Sequence, residues 1–406
     1  MKPRHAAWLG LAAIALLACV PQESQSVPVF ARKYGFNCTM CHSDFPRLND
    51  FGQRYRMNGY ALPGRENEEK SVLETSAPVA LRTSAGYNDE RLDTPGGCDN
   101  AYAFEINGLD LLSGGLLGRT VGYFMIYVPQ IAAARGVAEQ EGGLEMASVV
   151  FQRLGSSWVN LRVGRFETAC VPFSVKRSLS VSPYEIYEAA FPGGVPFSET
   201  QSGIEVSGWG KLPLRYAVGL VSGGETNLAD DPPADVYARA AYVIGAGEGQ
   251  TMGQRIGVIG YLGKARSEAD SAGARQTFSR FGAEASLNAF HCNLALQYLF
   301  GQDDAELWPG AEENDEVSWS GGFAELSWRP QVGRVVFARY DWVDAPSDFN
   351  ADVGRATVGA RHYFGDNVAL HLEYSHRTEK SWWGSALAGG DDTTLSFFTA
   401  RVDFAL

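Results

Sequence analysis

From residue 77 onward the chain reads as about sixteen short segments in which apolar and polar side chains alternate, a period of two that suits β-strands and not helices. In 368–375, Val368, Leu370, Leu372 and Tyr374 share one face, while Ala369, His371, Glu373 and Ser375 share the other. Segment 292–303 sets Leu294, Leu296, Tyr298 and Phe300 against Asn293, Ala295 and Gln297. The last segment sets Phe398, Ala400, Val402, Phe404 and Leu406 against Thr399, Arg401, Asp403 and Ala405. One face suits lipid and the other water. The segments are 77–88, 100–112, 119–130, 143–154, 157–167, 200–210, 214–225, 234–245, 254–265, 276–289, 292–303, 316–330, 334–345, 355–364, 368–378 and 393–406. Each meets the roughly 9–11 residues that a tilted membrane-crossing strand needs.

The connections sort by length. Those after odd segments are long (89–99, 131–142, 168–199, 226–233, 266–275, 304–315, 346–354 and 379–392). Most of those after even segments are a few residues, such as Gly155-Ser156 and Gly365-Asp366-Asn367, with 246–253 the exception. A soluble β-sandwich also alternates. Long loops at one end and tight turns at the other favour a closed barrel in the outer membrane, and an even strand count returns the C-terminus to the periplasmic side. The expected fold is all-β: a transmembrane antiparallel β-barrel of about sixteen strands.

Composition agrees. The chain has 46 Gly, 22 Phe, 17 Tyr and 9 Trp, with only 20% charged residues, which suits membrane strands better than a helical globule. Nothing after Val27 is an apolar run long enough for a transmembrane helix. The net charge of −13 makes nucleic acid an unfavourable partner and metal cations favourable ones.

Lys2 and Arg4 form a charged start, Ala6 to Leu17 an apolar core, and Ser24 and Ser26 a small-residue cleavage site before Val27. Residues 1–26 therefore read as a signal peptide. Leu16-Leu17-Ala18-Cys19 also resembles a lipobox, which would put a lipid on Cys19. Either way the mature chain is exported.

Just beyond the signal lies Cys38-Thr39-Met40-Cys41-His42, a C-x-x-C-H motif. Two thiols at this spacing can bond covalently to one haem c, and the adjacent imidazole can bind its iron. A C-x-x-C redox pair or half a zinc site are the competing readings. Export favours haem. Pro46 suits a first helical turn and Gly59 a C-terminal cap, so 46–58 is expected to be helical, with Leu48, Phe51 and Tyr55 on one face. That face either covers the haem or packs on the barrel wall, and Arg47 or Arg54 is placed to meet a propionate. His42 is the expected iron ligand, and Met57 is a candidate for the sixth position, with His371 a weaker one. His291, His362 and His376 read as ordinary residues. A segment of some 45 residues is marginal for burying a haem alone, and a sixteen-strand lumen is wide enough to take it as a plug.

The stretch from Val27 to Pro63, VPVFARKYGFNCTMCHSDFPRLNDFGQRYRMNGYALP, followed by a barrel, resembles the fused outer-membrane cytochrome–porins of iron-oxidising bacteria. The resemblance covers nearly the whole mature chain in architecture, with its specific motif confined to Val27–Pro63. It implies a signal peptide (1–26), a monohaem cytochrome c segment (27–70) and a porin-like outer-membrane barrel (71–406). It further implies electron transfer from extracellular Fe(II) or another reductant to a periplasmic acceptor such as a soluble cytochrome. The competing expectation is a haem-plugged diffusion porin or sensor.

Cys98 and Cys170 both fall in expected outer loops, where a disulfide is compatible with the compartment, and Cys292 has no obvious partner. The outer loop near 303–316 carries Asp303, Asp304, Glu306, Glu312, Glu313, Asp315 and Glu316. It reads either as a solvated face or as an attractor for divalent cations. No hydrolase triad, zinc spacing or phosphate loop is present.

Overall fold

The computed structural model describes Phe30, Tyr34, Phe36, residues 40–42 and 46–64, and then, with short gaps, residues 70–405. The gaps are 73–78, 134–136, 157, 193, 210–212, 224–234, 246–253, 267–274, 309–315, 347–351, 365–367 and 381–392. The signal peptide and Cys38 lie outside the described residues.

Sixteen strands among the described residues close into one barrel. They are β1 (Val79–Thr94), β2 (Gly97–Gly118), β3 (Val121–Val128), β4 (Gly143–Phe151), β5 (Asn160–Phe166), β6 (Gln201–Trp209), β7 (Leu214–Val221) and β8 (Asp235–Ile244). The second half is β9 (Gln254–Ala265), β10 (Gln276–Ala289), β11 (Cys292–Asp304), β12 (Glu316–Gln331), β13 (Arg334–Asp344), β14 (Val353–Tyr363), β15 (Val368–Glu379) and β16 (Thr393–Ala405). Each strand pairs antiparallel with its sequence neighbour, and β1 closes on β16 from Arg82↔Ala405 to Asp93↔Thr394. Closure leaves no unpaired edge, as backbone groups facing hydrocarbon require.

The alternation is realised as expected. Along β7 exposed and buried positions alternate, and the exposed apolar set continues with Tyr242 and Ile244 on β8 and Ile256, Val258 and Leu262 on β9. On β15 Ala369, His371, Glu373 and Ser375 are buried inside the barrel.

Two connections depart from expectation. Residues 89–99 are not a loop: β1 and β2 continue to Thr94 and Gly97 as a paired hairpin, with Tyr102 and Phe104 more than 70% exposed. The polar run Asn88–Thr94 has no apolar alternation to reveal a strand, because neither face of this extension meets lipid or core. The connection 168–199 is not an outer loop either. It folds inward, carrying a short helix α1 (Glu185–Glu188) and the buried residues Cys170, Phe173, Tyr184 and Tyr187. Glu373 on β15 holds it, accepting hydrogen bonds from Ser180 Oγ (3.0 Å), Val181 N (2.8 Å) and Ser182 N (2.8 Å). Arg339 Nη2 on β13 donates to the Ser182 and Pro183 carbonyls at 2.9 and 2.6 Å, with its guanidinium over the Tyr184 ring.

Turn lengths fix a polarity that can be checked. A protease site inserted at Gly96 on the β1–β2 hairpin should be cut on intact cells, whereas one at Gly333 in the β12–β13 turn should not. The reverse pattern would overturn the orientation.

Candidate functional site

Cys41 and His42 line a cavity of about 710 Å³ bounded by the N-terminal segment, the inner wall from β14 through β16 to β3, and the inward loop at 175–181. Cofactor-sized pockets run to roughly 300–1,000 Å³. Phe30, Tyr34, Phe36, Tyr55, Tyr60 and Phe124 give one side of it an aromatic lining.

The local chain explains how the motif is held. Asn49 caps helix α2 (Asp50–Met57) by accepting from Gly52 N at 2.9 Å, and its Nδ2 donates to the Met40 carbonyl at 3.0 Å. Its backbone N–H donates to the Cys41 carbonyl at 2.9 Å, so one residue clamps the motif to the helix start. A Cβ on Gly52 would collide with that same carbonyl. The helix is therefore shorter than the expected 46–58, because the Pro46 carbonyl is turned to His42 and Asn49 takes the cap. Gly59, at φ +55°, ends the helix as expected. Gly59 N and Tyr60 N donate to the Arg56 and Tyr55 carbonyls, with the Tyr55 and Tyr60 rings 5.7 Å apart, a Schellman cap with its apolar contact.

His42 Nδ1 lies 2.9 Å from the Pro46 carbonyl. A carbonyl only accepts, so Nδ1 carries the proton and the lone pair sits on Nε2. Burial pushes the imidazole down to about 4, which keeps it neutral, the form that binds a metal.

Helix α2 is tied to inward-facing groups on several strands. Arg47 Nη1 donates to Asn293 Oδ1 of β11 at 3.0 Å and Nη2 to Tyr184 OH at 3.1 Å, and Arg47 pairs with buried Glu325 of β12. Asp50 pairs with Arg215 of β7, and Arg56 with Glu167 at 3.3 Å. Tyr60 stacks on Phe124 of β3 at 5.3 Å. Gly122 lets this approach happen, since a Cβ there would collide with the Gly59 carbonyl.

These ties bear on three expectations. Arg47 is committed to the barrel wall and Arg54 pairs with Asp50 at 3.2 Å, and neither lines the cavity of His42. Met57 lines a separate cavity of about 90 Å³, so the structure does not bring it together with His42. His371 faces inward as expected, but Arg361 Nε donates to its Nδ1 at 2.8 Å and its Nε2 meets Glu373 at 3.0 Å, outside the cavity lining. His362 is buried, and His291 and His376 are exposed.

The groups missed in the sequence are the cations around His42: Arg56, Arg82, Lys176, Arg177, Arg361 and Arg401. All but Arg56, which lies on the helix of the same segment, come from positions far from the motif in sequence and meet only through barrel closure and the inward loop. Arg82 pairs with Asp110 and Lys176 with Glu145. Glu167 is shared by Arg56 and Arg177, and Asp403 by Arg401 at 2.8 Å and Arg361 at 3.7 Å. Arg177 Nε is buried without a hydrogen-bond partner among the described residues. A neutral histidine beside a thiol, an aromatic wall and guanidinium groups in excess of their carboxylates fit a haem with its two propionates.

The other cysteines and the acidic loop are also corrected. Cys170 is fully buried in the interior and Cys98 lies exposed on the projecting hairpin beside Asn100, and neither is in a disulfide. Asp303 is buried and accepts from Trp308 Nε1 and Trp319 Nε1 at 3.0 Å each, besides pairing with Arg280, so it is not a solvated loop carboxylate. Thr277 holds Asp304 and Gln276 holds Glu306; Glu312, Glu313 and Asp315 lie outside the described residues. Among the described residues, no group of three or more His, Cys, Asp or Glu side chains could hold a metal ion.

No protein-family model and no curated protein matches the sequence. Solved structures match in fold. The anion-selective porin from Comamonas acidovorans aligns over 82% of this chain and 100% of its own, with TM-score 0.59 and 12% identity. The outer membrane channel DcaP of Acinetobacter baumannii aligns over 81% and 97%, with TM-score 0.56 and 9% identity. Pseudomonas putida OprB aligns over 82% and 95%, with TM-score 0.51 and 10% identity. At such identities the likeness is one of fold: the barrel is porin-like.

Proposed function

We propose that this chain is an outer-membrane cytochrome–porin whose N-terminal segment carries one covalent haem c inside the barrel, and that it moves electrons from an extracellular reductant, Fe(II) first among them, to a periplasmic acceptor. The observation that carries this reading is the position of Cys41 and His42 on a cofactor-sized, aromatic and cationic cavity. The Cys38 and Cys41 thiols would hold the haem, and His42 Nε2 would bind the iron. When bound, the haem supplies a one-electron couple. The chain's own residues do the rest: the Pro46 carbonyl fixes the imidazole tautomer, Asn49 clamps the motif, and Arg47 and Asp50 hold the segment to the wall. The resemblance of Val27–Pro63 to the fused cytochrome–porins supports the same assignment.

The fold likeness to porins favours a second reading, a diffusion porin in which the N-terminal segment is a plug or sensor. One of those porins, that of Comamonas acidovorans, is anion-selective. Haem attachment comes first in testing either. Denaturing-gel haem stain of the purified chain should be positive and should vanish in Cys41→Ala. A stain that survives the substitution would remove the attachment site, and a wild type without stain would remove the haem reading and leave the plain porin.

A further inference from the structure

Two carboxylates beside the His42 cavity are each shared by two guanidinium groups. Glu167 serves Arg56 and Arg177 at 3.3 and 3.2 Å, and Asp403 serves Arg401 and Arg361 at 2.8 and 3.7 Å. The Glu167 sharing leaves one positive charge uncompensated in a poorly hydrated place, which is costly unless an anion arrives, and the Asp403 sharing leaves two guanidinium groups on the cavity lining with a single carboxylate in direct contact. The remaining cations of the lining are matched singly, Arg82 with Asp110 and Lys176 with Glu145. Glu373 lies behind His371, its oxygens taken by Ser180, Val181, Ser182 and that histidine, so it adds negative charge opposite Arg361 and Arg401 without contacting either and leaves their cavity-facing N–H groups to another acceptor. Haem brings two carboxylates of its own.

From this arrangement we infer that Arg177 of the inward loop and the Arg361–Arg401 pair at the barrel seam, all on the lining of the His42 cavity, are the propionate anchors, one carboxylate to each. The inference rests on the haem reading above and adds which residues of the barrel hold the group. Arg177 fits the role on independent grounds, since its Nε is buried without a partner among the described residues. Burial and the neighbouring Arg56 guanidinium push its own ionisation down to about 10, a strain that a carboxylate would relieve. Arg361 is steered by the hydrogen bond from its Nε to His371 Nδ1, which leaves the far end of the guanidinium for Asp403 and the cavity.

The assignment predicts a titration. An adjacent arginine holds a carboxyl about 1–3 pKa units down. Wild-type full-length protein in lipid should therefore show a midpoint potential flat through neutral pH. Arg177→Gln and Arg401→Gln should each raise one propionate ionisation by about 1–3 units and bring a pH-dependent slope into that range, with the potential lowered by the lost positive charge. Arg177→Lys, which keeps the charge, should restore the flat profile. Arg91→Gln, on the projecting hairpin, should match the wild type. Haem stain of every sample separates the two levels of failure. Unstained wild type defeats the haem reading and this inference with it, whereas stained Arg177→Gln and Arg401→Gln with the wild-type profile defeat the anchors alone. If Arg177→Gln does not fold, Arg401→Gln decides.

Discussion

Replacing His42 with alanine is expected to leave the barrel folded and to remove the Fe(II)-reducible signal altogether. The imidazole contributes nothing to strand closure: β1 pairs with β16 over 12 positions, and the hydrogen bond from His42 Nδ1 goes to the carbonyl of Pro46 within its own segment. Gel mobility with and without heating reports the fold, and haem stain reports attachment, so loss of reduction in a folded, stained protein would be assigned to the missing ligand. Stopped-flow spectra in lipid with excess Fe(II) give the measurement. Wild type that stays oxidised at every pH where the barrel is folded would remove iron oxidation and advance the diffusion-porin reading. A substituted protein reduced at the wild-type rate would remove His42 as the ligand.

Much of the barrel was legible because a membrane strand writes its environment into every second residue. β9, β10 and β15 begin where the alternation begins. That signal fails where both faces meet water, as on the extension Asn88–Thr94, and it cannot report where a loop goes. The inward course of 168–199 depends on Glu373, Arg339 and Glu325, residues from about 140 to 190 positions away that become neighbours only when the barrel closes.

The site divides along the same line. The Gly59 cap was readable because its signal is local, and the motif that singles out Cys41 and His42 is local in the same way. Arg47 was expected on the helix but precedes its cap, and its partners Asn293 and Glu325 lie nearly 250 and 280 positions downstream and turn it to the wall. Arg361 and Arg401 carried one available signal, an arginine at an inward-facing position near the end of a strand beside the seam. Nothing short of the register connects that signal to His42.

Deleting residues 40–64 is expected to turn a tight barrel into a leaky one. The segment is bound to β12 through Arg47 and Glu325, to β7 through Asp50 and Arg215, and to β3 through the stacked Tyr60 and Phe124 rings. Its removal strips Asp50 from buried Arg215 and leaves Glu325 with Tyr184 and Arg339 alone, and an abandoned buried charge costs about 3–5 kcal/mol unless water reaches it. Water entering to solvate them is the same water that conducts, so swelling of proteoliposomes in small sugars should rise on the order of tenfold for a sixteen-strand lumen. The increase should stop short of a fully open pore because the inward loop keeps its own ties to Glu373 and Arg339. Gly122→Val offers an intermediate, since its side chain displaces the Gly59 carbonyl while every strand pair remains. Intact protein that already leaks like the deletion would show that the segment does not obstruct the lumen, and the open diffusion porin would then be the better account of the barrel.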